Sequence, residues 1–159
     1  MPDVETVVPA PGGAHLWCRA EGEGPAVLLI AGLGATPAEI WKSRDWMAVF
    51  NCQEDVRAIQ PNFDLLAKVP GGKVIVTAPG RDCDFVSRFF APGAGVNEDP
   101  VTGSSHCTLI PYWSARLGKT KLFARQISKR GGELHCELRG DRVSIGGRAA
   151  LYSEGTIFV

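Results

Sequence analysis

Between Gly95 and His106 the chain reads GVNEDPVTGSSH, in which a carboxylate, a proline, a hydroxyl and a run of small residues follow closely. Thr102, Gly103, Ser104 and Ser105 would put unpaired backbone N–H groups at a helix N-terminus. There the dipole and the orphan donors favour a carboxylate or a phosphate. The small residues let such a ligand approach the backbone closely. Asp99, one residue ahead of Pro100, suits a carboxylate set beside the bound anion and able to exchange a proton with it. The same string also reads as a plain turn and helix cap, with Asp99 and Thr102 serving only the backbone. His106 has two readings as well: facing the ligand, or satisfied within the core.

The remaining reactive residues point away from metal or redox chemistry. The five cysteines (Cys18, Cys52, Cys83, Cys107, Cys136) are scattered singly, with no CxxC pair and no Cys/His spacing typical of zinc. They read as free thiols, with Cys107 in the core because no basic neighbour in sequence lowers its pKa. Trp41, Trp46 and Trp113 read as packing residues rather than a substrate platform. The basic run at Lys129 and Arg130 is short and flanked by glycine, so it reads as a solvated turn.

The elements that must position the Asp99 stretch are α+β in kind. Residues 14–19 and 26–31 are β-like runs joined by the turn-rich EGEGP. Thr36 followed by Pro37 predicts a short helix over TPAEIW. RDWMAVF (44–50) is a strand candidate, and QEDVRAI and PNFDLLAKV are short helices behind acidic first turns. GGKVIVTAPG is a glycine-bounded strand. CDFVSRFFAPG (83–93) alternates as a strand packed on both faces, which aims Arg88 toward the polar site. TLIPYWSARL (108–117) is the longest helical pattern, weakened by Pro111 unless that residue lies in the first turns. KLFARQISKR, GELHCELRG, DRVSIGG and RAALYSEGTIF alternate and break at glycine pairs, which predicts an antiparallel meander.

Length and charge bound the function further. At 159 residues the chain can bury a core of its own. Lys plus Arg and Asp plus Glu are each 17, so no net positive field attracts nucleic acid or anionic membrane. No apolar run is long enough to span a bilayer, and MPDVETVVPAPGG lacks the layout of a signal peptide. These features predict a soluble cytoplasmic protein with a small-molecule site.

The stretch GVNEDPVTGSSHCTLIPYW, with DFVSRFFAPG before it and LGKTKLFARQISKRGGEL after it, resembles the carboxy-terminal half of the phenazine-biosynthesis (PhzF-like) isomerases. The likeness runs from about Leu33 to Thr156 and takes in KSRDWMAVF and KVIVTAPG. It implies the diaminopimelate epimerase-like fold: two similar halves, each a curled, mainly antiparallel mixed sheet around a central helix, here starting near Gly103. It also implies proton transfer on a small carboxylate substrate without metal or organic cofactor. Carried over by position, Asp99 matches the aspartate that handles the proton, and Gly103 with Ser104 matches the carboxylate-binding loop. Asp99 and Ser104 are thus the candidate catalytic residues, and Thr102, Gly103, Ser104, Ser105, His106 and Arg88 the candidate substrate-binding ones. Gln126 and Arg130 join them as cleft-lining residues.

The resemblance departs from the family at the amino-terminal end. The family's other half supplies a glutamate acid/base and a second anion loop, and neither is recognisable here. Residues 11–34 instead resemble the opening strands of an α/β-hydrolase, but no GxSxG elbow follows to make them one. This divides the chain into a foreign strand segment, 1–32, and a PhzF-like domain, 33–159. Two functional classes stay open: an isomerase in which two copies pair and each supplies one wall of the cleft, or a non-catalytic domain that binds small anions or only dimerises. Either way the expected partners are a small carboxylate and a second copy of the chain.

Overall fold

The computed structural model describes residues 4–9 and 15–20 as backbone strands and residues 37–157 with their side chains. Strands β1 (Val4–Pro9), β2 (His15–Ala20), β3 (Glu39–Lys42), β4 (Trp46–Val49), β5 (Val74–Pro79), β6 (Phe85–Ala91), β7 (Val96–Glu98), β8 (Lys121–Gln126), β9 (Gly132–Arg139) and β10 (Arg142–Gly146) form one sheet. Its order is β1-β2-β3-β4-β5-β6-β8-β9-β10, with β7 pairing β6. The β4/β5 and β6/β8 pairs are parallel and the others antiparallel, so the sheet is mixed and mainly antiparallel.

Helices cover both faces of the sheet. The short α1 (Gln53–Ala58) and α2 (Phe63–Leu66) lie on one face, over Ala48, Val76, Val86 and Phe90. The long α3 (Gly103–Leu117) lies on the other, over Met47, Ile75, Phe85, Phe89 and Leu122. β6 is therefore buried on both sides, which its run of aromatic and branched residues already required. α3 touches β8, β9 and β10 and also reaches β3, where Tyr112 and Arg116 bond Glu39. Six strand spacings separate β3 from β10, about 29 Å if the sheet were flat. The axis of a 15-residue helix is only about 22 Å long. The sheet therefore curls around α3.

Two local devices shape the long helix. It stops at Gly118, whose φ of 66° is the left-handed conformation that ends helices. Pro111 lies inside α3, not in its first turns, and forgoes one backbone bond there. Burial of its neighbours Leu109, Ile110, Tyr112 and Trp113 offsets that loss.

Several expectations are corrected. TPAEIW is not a helix: Glu39–Lys42 is strand β3, because Ile40 and Trp41 pair with Ala48 and Met47, and cross-strand contact outweighs a cap for so short a segment. Thr36 and the 26–31 run lie outside the described residues, as does the proposed boundary at residue 32. β2 pairs with β1 and β3, so Val4–Pro9 is a strand the sequence reading did not anticipate. Of RAALYSEGTIF, residues 148–157 form no strand. Residues 147–157 are irregular and exposed, with Leu151, Tyr152 and Ile157 at 84%, 99% and 86% exposure. Alternation supplies a pairing edge but not a partner, and within the described residues this segment meets no further strand.

Candidate active site

The site is built where the chain turns back from β6. A single 3-10 turn over Pro92–Ala94 is followed by Gly95 at φ 81°, a left-handed residue that only glycine adopts freely. β7 then runs back along β6, with a bulge at Phe90/Ala91, and delivers Asp99 to the mouth of α3. The Asp99 N–H is held by the carbonyl of Phe89 at 3.0 Å. The next residues, Pro100 to Thr102, carry the chain into the helix.

Two residues from β8 and the turn after it fix this loop. Gln126, fully buried, accepts the Thr102 N–H at 2.8 Å through Oε1. Its Nε2 donates to the Asp99 carbonyl at 2.7 Å and to Thr102 Oγ1 at 3.1 Å. Ser128 donates to the Pro100 carbonyl at 2.7 Å. Gly132, opposite Gln126 across β8/β9, makes room for Val101, which a Cβ at that position would strike. The loop is irregular but bonded at Asp99, Pro100 and Thr102.

Thr102 takes the cap position of α3 without capping it. Its hydroxyl donates instead to Asp99 Oδ2 at 2.5 Å, so the capping role expected for Thr102 is replaced by a bond to the candidate proton-transfer carboxylate. With the Thr102 amide taken by Gln126, the first-turn amides of Gly103, Ser104 and Ser105 are the ones that α-helical geometry leaves without an intrahelical partner. Gly103 and Ser104 are exposed, whereas the Ser105 side chain is buried and its hydroxyl donates to the Thr102 carbonyl at 2.9 Å. An anion at the helix start thus meets backbone donors and the Ser104 hydroxyl, with the half-buried Asp99 close by.

The cleft beside this helix start has a volume of about 600 Å³. Val101, Gly103, Arg130, Ile145, Gly147 and Arg148 are among its walls. Arg130 is one of these lining residues. Arg148 is a second guanidinium on the same wall that the sequence reading missed, although a lone arginine behind a Gly-Gly pair carries little signal. Two exposed guanidinium groups and a helix N-terminus give the cleft a positive rim suited to an anion.

Other candidates are placed elsewhere. Arg88 does not face the site: it lies on the α1 face of β6, paired with Glu98 at 2.7 Å and donating to the carbonyls of Val56 and Ile59. The expectation that it points into the site is corrected: its guanidinium is held by the Glu98 ion pair, which braces β7 ahead of Asp99. His106 is fully buried rather than turned to a ligand. Its Nδ1 lies 2.7 Å from the Thr102 carbonyl, which can only accept, so the proton sits on Nδ1. Burial pushes the His106 pKa below its usual value, and the bond to Thr102 only partly opposes this. The neutral ring packs beside Phe85 as a core group.

Cys107 is exposed on α3 and not in the core. Cys52, Cys83 and Cys136 are free thiols too. Trp113 donates to Thr77 and stacks on Phe85, Trp46 donates to the Pro70 carbonyl, and Trp41 packs edge-on to Tyr112. All three tryptophans are structural. Among the described residues no group of His, Cys, Asp and Glu could hold a metal ion, and no helix is long and apolar enough to cross a membrane.

Comparison with known proteins converges on one family. A family model described as PhzC-PhzF, phenazine biosynthesis-like protein, matches residues 8–155. A Pseudomonas aeruginosa protein named an uncharacterized isomerase is 54% identical over 135 residues, covering 84% of this chain and 52% of that protein. An uncharacterized isomerase of Halalkalibacterium halodurans is 44% identical over 124 residues, covering 76% of this chain and 47% of its own length. Among solved structures, a PhzF family protein of Enterococcus faecalis superposes with a TM-score of 0.76 at 47% identity, over 79% of this chain and 49% of that one. A PhzC/PhzF phenazine biosynthesis protein of Clostridium difficile gives 0.77 at 41% identity, over 98% of this chain and 57% of that one. The chain spans about half the length of the curated relatives it matches.

Proposed function

The chain belongs to the phenazine biosynthesis-like PhzC-PhzF family, and from that premise we propose that it is a cofactor-independent isomerase or epimerase domain that moves a proton on a small carboxylate substrate. The observation that carries this reading is the Asp99 carboxylate, held by the Thr102 hydroxyl beside the exposed start of α3. The Gly103–Ser105 amides and Ser104 bind the substrate carboxylate, and Asp99 takes or returns the proton at the neighbouring carbon. Arg130 and Arg148 draw the anion into the cleft. No metal or organic cofactor enters the reaction in this reading. Free thiols are consistent with a reducing, cytoplasmic setting.

The test is solvent-deuterium incorporation into a panel of small unsaturated and hydroxy carboxylates. Asp99→Asn should abolish incorporation while leaving the fold intact, because an amide cannot act as the base. Incorporation at the wild-type rate in that variant would remove Asp99 from the mechanism.

A second copy of the chain is the proposed supplier of the opposite wall of the cleft. Support comes from the apolar Leu151, Tyr152 and Ile157, exposed on a segment that leaves the cleft wall at Arg148. A two-fold pairing buries them and brings two Asp99 loops to one groove. Sedimentation at micromolar concentration should report a dimer, and a chain truncated after Arg148 a monomer. A monomeric full chain contradicts the pairing. The exposed Gly103 and Ser104 also support a second reading, a non-catalytic domain that binds small anions through the same helix start. It predicts carboxylate binding without deuterium incorporation.

A further inference from the structure

We propose that Gln126 is a positioning residue for Asp99: its side-chain amide, acting through the Thr102 hydroxyl, holds the Asp99 carboxylate as a fixed proton acceptor. The proposal rests on the reading of Asp99 as the proton-transfer group. It follows from the directionality of a few hydrogen bonds.

Gln126 Oε1 lies 2.8 Å from the Thr102 N–H, a group that can only donate. Nε2 lies 2.7 Å from the Asp99 carbonyl, a group that can only accept. These two contacts fix the amide orientation, since the flipped form would set donor against donor and acceptor against acceptor. Nε2 must then donate to Thr102 Oγ1 as well, at 3.1 Å. The hydroxyl has a single proton, and with its oxygen already accepting from Gln126 that proton points to Asp99 Oδ2, 2.5 Å away. One side chain thus ties the two ends of the Asp99–Thr102 loop and sets the sense of the bond that reaches the carboxylate.

Burial raises what is at stake. Gln126 has no exposed surface, and the β8 residues Leu122 and Ala124 on the same face are apolar core. A primary amide in that setting is costly unless its polar atoms are bonded, and Gln126 spends its bonds on Asp99 and Thr102. Of the other buried polar residues, Thr77 bonds Trp113 and the Val86 carbonyl, while Ser105 and His106 bond the Thr102 carbonyl and not its hydroxyl. Asp99 receives its side-chain bond from Thr102, and Thr102 receives its own from Gln126.

The experiment is Gln126→Glu in the full chain, followed by NMR. Glutamate keeps the size and an oxygen to accept the Thr102 N–H, but when ionised it offers no proton to Thr102 Oγ1 or to the Asp99 carbonyl. In the folded variant the Thr102 amide signal should stay near its wild-type position while the Asp99 carboxyl carbon signal shifts. A merely structural glutamine would not separate these two signals. Deuterium incorporation into an accepted carboxylate should fall on the order of 10- to 100-fold, as expected for a misplaced base. Thr102→Val removes only the relaying hydroxyl and should shift the same Asp99 signal, which keeps the test decisive if Gln126→Glu does not fold. An Asp99 signal unmoved in folded Thr102→Val, or in folded Gln126→Glu at a pH where its glutamate is ionised, overturns the positioning role. Incorporation that survives Asp99→Asn overturns the proton-transfer reading instead, whatever Gln126→Glu does to the Asp99 signal.

Discussion

Two irregular segments border the same cleft, the loop from Asp99 to Thr102 and the segment from Gly147 to Ile157, and they are held in opposite ways. The first is bonded along its length by Phe89, Gln126 and Ser128, and its exit is fixed by α3. The second starts on the cleft wall at Gly147 and Arg148 and then exposes Leu151, Tyr152 and Ile157. Lack of regular structure therefore has two causes in one molecule. Where side chains from a neighbouring strand satisfy the backbone, an irregular segment is a rigid platform for chemistry. Where no neighbouring strand meets the chain, an irregular segment leaves its apolar residues facing water.

The difference can be broken first by stability. Gln126→Ala leaves the Thr102 N–H and the Asp99 carbonyl buried without their partner, and should cost about 3 kcal/mol in denaturant unfolding. Removal of residues 149–157 should cost the isolated chain no more than about 0.5 kcal/mol, because exposed side chains contribute little to a monomer. Equal losses in the two variants would mean that the exposed segment is part of the folded body and that the comparison fails.

A smaller effect sharpens the rigid side of the comparison. His106 is buried neutral beneath the loop with its pKa pushed down, so the unfolded chain binds a proton that the folded chain refuses. That stability is fully present above the ordinary histidine value of about 6.5 and declines as pH falls toward the lower folded value. His106→Asn should flatten the pH dependence of the melting temperature in that window. A wild-type profile that is flat between pH 6.5 and 5, or an unchanged slope in His106→Asn, would show that the ring is not confined as described.

Much of the frame was legible because it rests on short-range patterns. VIVTAP and FVSRFFA are dense in β-formers, and EDP followed by TGSS marks a strand-to-helix turn, so β5, β6 and the start of α3 fell where the residues and the resemblance put them. The misses share a physical origin in tertiary contact. Glu39–Lys42 became a strand because Ala48 and Met47 were there to pair with, and the exposure of Cys107 depends on what packs against α3, which its neighbours in sequence do not state. Thr102 gave up its cap because Gln126, far along the chain, turned its hydroxyl toward Asp99. Arg88 was expected to point into the site and instead pairs with Glu98, because that outcome depended on where β7 folds back, and nothing in the local sequence states that Glu98 lies within its reach.

The most direct measurement of the central claim is an acetate titration of the isotopically labelled chain, followed at every backbone amide. The account predicts saturable shifts concentrated at Gly103, Ser104 and Ser105, with the Asp99 carboxyl carbon moving in step and distant amides unmoved. Shifts spread over the surface without saturation, or a saturable site that leaves Gly103–Ser105 unmoved, would contradict it.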